Sequence, residues 1–343
     1  IVSPSKRLFK CFACGEGGNI FAWFQKYHNM SFPEAVREVG KRCHVEVPTV
    51  DLSPEEKTAM QLKEAAELVL QESSRIFRAN LQTNDPAKVY LAERKINQDT
   101  ADLYQIGYTS DYNGLTTTLR KLGYSEQNIL AAGVSYKNDR NELRDAFFSR
   151  LVIPFFSISG KMLGFVGRDI TGKQAAKYKN SPDTVLFKKD HVLFGLFQAR
   201  KAISEKGFVY ICEGQFDVLS LAQRGVRNVI AASGTAFSEH QRRLLHSVTT
   251  KLVFILDGDA AGIKAALKHI PAAVKDNFEV MTVALPEGND PDDMAKKLES
   301  ELPQYLQKHT ISYVQYYAKH LLADNDDAYT RQNKIKQILE VIA

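Results

Sequence analysis

The chain has 343 residues, of which 44% are hydrophobic and 25% are charged, and these ordinary globular values exclude a disordered or fibrous protein. No apolar run approaches the roughly 20 residues that a membrane helix needs, and no signal-peptide pattern is present. The formal net charge is +5, but between Arg140 and Lys201 twelve Lys or Arg accompany five Asp or Glu, a composition that suits a polyanionic partner or a solvated basic face.

The first 44 residues are rich in aromatic residues and Gly around Cys11 and Cys14, whose spacing is typical of metal-binding ribbons. Four cysteines in a chain of this length do not form a disulfide framework, so we expect a reducing, cytoplasmic location. A helix is predicted to begin after Ser31. Aromatic residues such as Trp23 could stack on nucleic-acid bases, but packing of the small ribbon explains them more simply.

A linker and then a mixed region follow the ribbon. Pro48 lies in the linker, residues 45–52. Ser53-Pro54-Glu55-Glu56 is a capping box, and it predicts the start of a long amphipathic helix that runs to about Asn80. The sequence also predicts a helix near Pro86–Arg94 and a β-hairpin formed by Leu151–Phe156 and Met162–Val166.

Strands and helices alternate from Gly207 onward. This alternation predicts an α/β fold, in which a parallel sheet carries helices on both faces, within a chain that is α+β overall. The predicted strands are Phe208–Cys212, Asn228–Ala232, Leu252–Leu256 and Val280–Leu285, and helices are predicted at Ser312–Leu322 and Tyr329–Ile342. The predicted domains are the ribbon and its helix (1–44), the linker (45–52), a basic subdomain (53–206), the α/β domain (207–300) and a helical segment (301–343).

Acidic residues follow three of the four predicted strands. They are Glu213 after the first strand, Asp257 and Asp259 after the third, and Asp290 and Asp292 after the fourth. The carboxyl ends of parallel strands meet at one edge of a sheet, with neighbours ~4.8 Å apart, so these carboxylates are expected to crowd together. Crowded carboxylates repel one another, and Mg²⁺ or Mn²⁺ removes that penalty. A helix N-cap would explain any single Asp, but the repeated Asp-x-Asp spacing favours metal binding.

Several short motifs occur in a characteristic order along the chain. They are Cys11-Phe-Ala-Cys14, Arg150-Leu151, Gly167-Arg168, Lys177-Tyr178-x-Asn180, Glu213-Gly-x-x-Asp217, Ser233-Gly234-Thr235, Asp257-Gly-Asp259 and Asp290-Pro-Asp292. In this order they resemble the bacterial DnaG-type replicative primases, whose catalytic metal site lies in a Toprim domain. The resemblance covers most of the chain. Gln215-Phe216 departs from it, because the family commonly has Tyr-Met or Phe-Met there.

The resemblance implies a DNA-directed RNA polymerase that makes short RNA primers on single-stranded DNA from ribonucleoside triphosphates. A 3′-hydroxyl would attack an α-phosphate, and two Mg²⁺ or Mn²⁺ ions would activate the hydroxyl and neutralise the leaving pyrophosphate. It also implies a Toprim-type parallel sheet as the fold. The protein would work at a bacterial replication fork. The implied catalytic and central metal residues are Glu213, Asp257 and Asp259, with Asp217, Asp290 and Asp292 as further metal-site residues.

Cations must face such an acidic site if it is to hold a triphosphate and a template. Lys189 and Lys188 compete for one such position, and Asn180 could bond phosphate or sugar, although it also lies in an ordinary turn motif. Each basic residue could equally be a surface residue without a partner. By resemblance, the candidates for the nucleic-acid or nucleotide groove are Arg150, Arg168, Lys177, Asn180, Lys189, Gly234 and Thr235.

The cysteine motif supplies only half of a zinc site. A structural zinc ion takes four ligands, and Cys11 and Cys14 are two. In the family that the chain resembles, a Cys and a His precede the position of Ile1. We therefore expect Zn²⁺ in the intact protein, an incomplete site here, and a replicative helicase bound through a domain absent from this chain.

Two other classes of protein share the carboxylate motif. A type IA topoisomerase needs a tyrosine nucleophile on a separate domain, for which the segment after Leu285 offers no space. A non-catalytic Toprim module would bind nucleic acid without incorporating nucleotides. Metal-dependent nucleotide incorporation distinguishes the primase hypothesis from this second alternative.

Overall fold

The computed structural model describes residues 1–4, 7–11, 17–28, 30, 32–47, 53–109, 113–233, 237–258, 260–321 and 327–342. The chain divides into two compact units, Ile1–Leu62 and Lys63–Ala343. Across the described ranges, every helix is too short or too polar to cross a bilayer.

The first unit contains a small antiparallel sheet, two helices and the start of a third, longer helix. Phe24, Ala35 and Val39 form its core, and the Phe9 ring meets Trp23 edge-on at 5.1 Å. Trp23 nevertheless remains 39% exposed, so packing accounts for Phe24 more fully than for Trp23. The elements are β1 (Val2–Ser3), β2 (Leu8–Lys10), β3 (Gly17–Gly18), α1 (Ile20–Tyr27) and α2 (Phe32–Arg42).

The long helix that follows begins at the predicted capping box. The Ser53 hydroxyl accepts from the Glu56 N–H at 3.2 Å, and the Glu56 carboxylate accepts from the Ser53 N–H at 2.8 Å. The helices from here to residue 131 are α3 (Pro54–Thr83), α4 (Asp85–Glu93), α5 (Gln98–Leu103), α6 (Gly114–Lys121) and α7 (Glu126–Ala131).

An antiparallel sheet carries the basic segment. The predicted hairpin is confirmed as its centre, with Ile153 opposite Val166. The strands are β4 (Gly107–Tyr108), β7 (Arg150–Phe156), β8 (Met162–Asp169) and β9 (Tyr178–Asn180), in the order β4-β7-β8-β9, while β5 (Ser135–Lys137) and β6 (Leu143–Asp145) pair separately.

The parallel sheet is confirmed, with all four predicted strands. Its strands are β10 (Val209–Cys212), β11 (Val229–Ala231), β12 (Lys251–Leu256) and β13 (Glu279–Ala284), joined by β14 (Thr310–Ser312), in the order β11-β10-β12-β13-β14. The unpredicted β14 lies antiparallel to β13. The helices are α8 (Leu196–Lys206), α9 (Gln215–Gln223), α10 (Glu239–His246), α11 (Ala260–Lys275), α12 (Pro291–Leu298), α13 (Leu302–Lys308), α14 (Tyr313–Leu321) and α15 (Ala328–Ile342), with 3-10 turns at Lys189–His191 and Glu299–Glu301.

Both faces of this sheet are buried, as parallel sheets require. Along β12, Phe254 packs with the core beneath α10 and α11, whereas Val253 and Ile255 pack with the core beneath α9 and α12. The chain leaves β10 toward β11 on one side and later returns to β12 on the other. The carboxyl ends of β10 and β12 therefore border the crevice in which open α/β sheets bind ligands.

Candidate metal centre

Two of the predicted acidic residues lie at this crevice. Glu213 directly follows β10 and is exposed, and Asp257 directly follows β12 and is half-buried. Ile211 pairs with Phe254 in the parallel register, so the two strands reach their ends side by side. The structure thus brings together the first carboxylates of two motifs that are 44 residues apart in sequence.

Two glycines make the turn after Asp257 possible. A Cβ on Gly258 would lie 2.1 Å from the carbonyl oxygen of Pro286, and one on Gly262 would lie 2.2 Å from the carbonyl oxygen of Asp257. Both distances are far below van der Waals contact. Only glycine at these positions lets the strand end approach its neighbouring loop and lets α11 begin against Asp257.

Asp217 lies in the first turn of α9, where its carboxylate accepts from the Gly214 N–H at 2.9 Å. Burial raises the pKa of this carboxyl to about 8, helped by the negative charges of Asp290, Asp257 and Asp292. Negative charge outweighs positive charge around Asp217, and this is the environment that a divalent cation would relieve.

The two acids that follow β13 have different surroundings. Asp290 caps α12 by accepting from the Asp293 N–H at 2.7 Å, with Pro291 in the first turn. Asp292 is 2% exposed, and its carboxylate accepts from Lys296 Nζ at 2.6 Å. The same carboxylate also accepts hydrogen bonds from Arg94 Nη1 at 2.9 Å and from the Ser220 hydroxyl.

These donors compensate the negative charge of the Asp292 carboxylate. Burial acts to raise its pKa, but the hydrogen bonds from Lys296, Ser220 and Arg94 outweigh burial and hold the pKa below its usual value. Asp292 and Asp217 thus shift in opposite directions within one cluster. The difference arises because Asp292 faces two cations and Asp217 faces other carboxylates.

Arg94 was missed in the sequence analysis, and it connects α4 to the acid cluster. Besides binding Asp292, its guanidinium lies 5.8 Å from the centroid of the Phe216 ring. The Arg168 guanidinium lies 4.8 Å from the centroid of the same ring and donates a hydrogen bond to the Tyr178 hydroxyl. No local signal marks Arg94, because it is 198 residues from Asp292 in sequence.

The candidate arginines of the basic segment are largely buried. Arg150 is 3% exposed and Arg168 is 6% exposed. Arg150 donates to the carbonyl oxygens of Ala176 at 2.8 Å, Gly167 at 3.2 Å and Lys177 at 3.3 Å. Through these bonds Arg150 holds the β8–β9 loop, and the nucleic-acid contact of Arg150 and Arg168 stays a prediction.

The remaining predicted residues are distributed as follows. Lys177 is exposed, while Asn180 and Lys189 are half-buried, on β9 and in the 3-10 turn. Cys11 is half-buried in the first unit. Asp259, Gly234, Thr235 and Cys14 lie outside the described residues.

Comparison with known proteins gives a consistent result along the chain. Residues 76–200 match the family described as DNA primase catalytic core, N-terminal domain, residues 210–295 match a Toprim-like family, and residues 1–54 match a CHC2 zinc finger. The chain is 37% identical over 304 residues to the DNA primase of Aquifex aeolicus (strain VF5), and the match covers 88% of this chain. The chain spans 58% of the length of that relative.

Solved structures show the same similarity. The zinc-binding and RNA polymerase domains of the Aquifex aeolicus primase match with a TM-score of 0.74 and 33% identity, over 99% of this chain and 81% of that one. A DnaG primase catalytic domain bound to single-stranded DNA matches with a TM-score of 0.69 and 25% identity, over 82% of this chain and 94% of that one. The predicted fold is confirmed by these matches.

Proposed function

Since the chain belongs to the DnaG-type DNA primase family, we propose that it synthesises short RNA primers on single-stranded DNA by nucleotidyl transfer. The observation that carries this proposal is the convergence of Glu213, Asp257 and Asp217 at the crevice between β10 and β12. The match over residues 76–200 lies outside the Toprim-like region, so it favours a primase over other Toprim proteins.

The acid cluster fits divalent cations in chemistry and charge. Its donors are oxygen atoms, which favour Mg²⁺ or Mn²⁺, and burial together with neighbouring carboxylates raises the pKa of Asp217. We assign Glu213, Asp257 and Asp259 as the residues that would hold the ions, with Asp217 and Asp290 beside them. Bound ions would supply Lewis acidity and would neutralise the charge of the leaving pyrophosphate.

Asp292 has a different part in this proposal. Because Arg94 and Lys296 already occupy its carboxylate, we assign it as a positioning residue. Its bond to Ser220 of α9 and its place in the first turn of α12 tie the helix of Asp217 to the helix that Asp290 caps. Fixed helices keep these carboxylates in place before substrate arrives, which lowers the reorganisation needed during reaction.

The template and the nucleotides would lie along the basic segment. A related catalytic domain bound to single-stranded DNA supports template binding, and the excess of Lys and Arg in residues 140–201 supports this placement. Lys177 and Lys189 are the candidates for phosphate contact in solvent, with Asn180, Gly234 and Thr235 as candidates for nucleotide contact. Arg150 and Arg168 would act indirectly, by holding β8, β9 and their loop.

The remaining features follow from the family. The CHC2 zinc-finger match over residues 1–54 supports Zn²⁺ binding in the full-length protein, with Cys11 and Cys14 as two ligands. A replicative helicase would be a partner of that full-length protein, which would work in the cytoplasm at the replication fork. These assignments rest on family membership.

Substitution of the acids tests the proposed function. Asp257→Asn and Asp259→Asn remove ligand charge with little change in shape, so dinucleotide synthesis should fall by at least about 100-fold. Circular dichroism and the melting temperature should stay near those of the parent. Asp139→Asn, at an exposed residue, is the matched control. Undiminished synthesis in the two variants, or template binding without any metal-dependent incorporation, would overturn the proposal.

A further inference from the structure

Outside the acid cluster, three metal-ligating side chains converge on the surface of the second unit. Asp190 and His191 lie in the 3-10 turn Lys189–His191, and His240 lies in the first turn of α10. One donor atom from each residue lies within 4.8 Å of the other two. We infer that Asp190, His191 and His240 form a binding site for one transition-metal ion, of which Zn²⁺ is the probe.

The fold holds the two elements of this cluster together. Phe194 and Ala231 exchange backbone hydrogen bonds of 2.9 and 3.0 Å, which dock the segment after the turn onto the edge of β11. The Gln241 side chain, completely buried, donates to the Val192 carbonyl oxygen at 2.7 Å. The donors therefore sit on anchored backbone.

A second cross-link lies directly at the cluster. Ser238, the N-cap of α10, donates its hydroxyl hydrogen bond to the backbone carbonyl oxygen of Asp190. This contact places the turn against the first residues of α10. It leaves the Asp190 carboxylate available, because the bond uses the carbonyl oxygen of the main chain.

The side chains have the chemistry of an open metal site, and their donors lie close enough to reach one ion after rotation. The rings of His191 and His240 stack with centroids 3.7 Å apart and planes 26° apart. His191 Nε2 lies 3.7 Å from Asp190 Oδ1, which is longer than a hydrogen bond. All three side chains are at least partly exposed, so rotation of the side chains can bring the donors to the roughly 2.0–2.2 Å that zinc requires.

The donor set selects the kind of ion. Two imidazoles and one carboxylate suit Zn²⁺, Co²⁺, Ni²⁺ or Cu²⁺ better than Mg²⁺, which prefers oxygen ligands. Three protein donors leave a coordination position for water. The site therefore differs from the acid cluster in its ions as well as in its residues.

Histidine side-chain NMR during a Zn²⁺ titration tests the site in the full chain. Mg²⁺ is held in excess to occupy oxygen-only sites. We expect the ring nitrogens of two of the eight histidines to shift with zinc. His191→Ala and His240→Ala should each remove one of these signals and weaken zinc binding at this site by at least about tenfold. Asp190→Asn should weaken it as well.

The matched control is His309→Ala, because His309 is an exposed histidine whose ring stacks on Tyr305 at 4.0 Å. Its substitution should leave the two shifting signals in place. The inference is overturned if the ring-nitrogen signals of His191 and His240 do not shift with zinc. It is also overturned if the double variant His191→Ala/His240→Ala binds as much zinc, and as tightly, as the parent does. Melting curves confirm that each variant is folded. Since the readout is metal binding, failure of the proposed primase activity leaves this test unaffected.

Discussion

The carboxyl edge of the parallel sheet and the antiparallel sheet of β4, β7, β8 and β9 place charge in opposite ways. At the parallel sheet, Asp217 lies among other carboxylates that help to raise its pKa. In the antiparallel sheet, Arg150 and Arg168 are buried and bound by carbonyl oxygens, a hydroxyl and aromatic rings of the same chain. The charge around Asp217 thus favours a cation as ligand, whereas the Arg150 guanidinium already has carbonyl partners within the chain.

This difference indicates which charges act on substrate. A group that is satisfied inside the protein gains little from a phosphate, because existing hydrogen bonds must first break. Exposed lysines such as Lys177 carry no such cost. We therefore expect template affinity to depend on the lysines and rigidity to depend on Arg150, and Arg94 joins the two regions through Asp292 and Phe216.

Among the substitutions that destabilise the chain, Arg94→Met is expected to have the largest effect. Arg94→Met leaves the buried Asp292 carboxylate with one cation fewer, which should lower the free energy of unfolding by about 3 kcal/mol. Arg94→Lys should recover part of this loss. Arg78→Met breaks an exposed pair with Asp102 at 3.0 Å and should cost no more than about 1 kcal/mol. Urea unfolding measures all three, and equal losses for Arg94→Met and Arg78→Met would argue against a central link at Arg94.

Arg150→Met is expected to cause the next largest loss of stability. Arg150→Met removes one donor from each of three carbonyl oxygens, and we expect a loss of about 2 kcal/mol in the free energy of unfolding, although the Lys177 oxygen still accepts from the Asp169 N–H at 2.9 Å. Affinity for single-stranded DNA should change less than in Lys177→Ala. Unfolding curves and fluorescence anisotropy measure the two quantities. A variant that is fully stable but binds DNA poorly would show that Arg150 contacts the template directly.

Much of the fold could be predicted from the sequence, because its pattern is strong. Four buried strands alternate with helices, and each observed strand lies within one or two residues of its predicted limits. The position of the acids followed from this topology. The strand β14 could not be predicted, because its three residues, Thr310–Ser312, are too few to show the alternation of apolar and polar residues that marks a strand. They form a strand only by pairing with β13.

The surroundings of the site were harder to predict. Arginine is mostly exposed in proteins, so the burial of Arg150 and Arg168 carries no sequence signal. Arg94, Ser220 and Lys296 meet at Asp292 only because α4, α9 and α12 pack together. Sequence could therefore place the carboxylates at one edge, but it could not show which of them are already paired.

Salt dependence sharpens the role of the lysines. If Lys177 and Lys189 each contact one phosphate, the log–log slope of single-stranded DNA affinity against salt should become shallower by about 0.7 for each Lys→Ala change. Arg150→Met should leave the slope unchanged, because its guanidinium binds carbonyl oxygens. Binding is measured by anisotropy at four or more salt concentrations. An unchanged slope in Lys177→Ala would remove that residue from the template surface.

The last prediction concerns the Asp217 carboxyl, and the sign of its effect on stability depends on pH. The folded chain holds the pKa of this carboxyl at about 8, while in the unfolded chain it is about 4. The folded state therefore binds the proton more tightly, and the free energy of unfolding falls as pH rises from 4 to 8. Asp217→Asn removes this penalty and can still accept from the Gly214 N–H.

In EDTA at pH 9, Asp217→Asn should melt about 10 °C above the parent, and the two should melt together near pH 4. Excess Mg²⁺ should favour the parent, because the carboxylate then has a counter-charge. Scanning calorimetry measures these differences, with Asp139→Asn as the exposed control. A lower melting temperature for Asp217→Asn at pH 9 in EDTA would mean that the carboxylates around Asp217 are balanced within the chain, as Asp292 is.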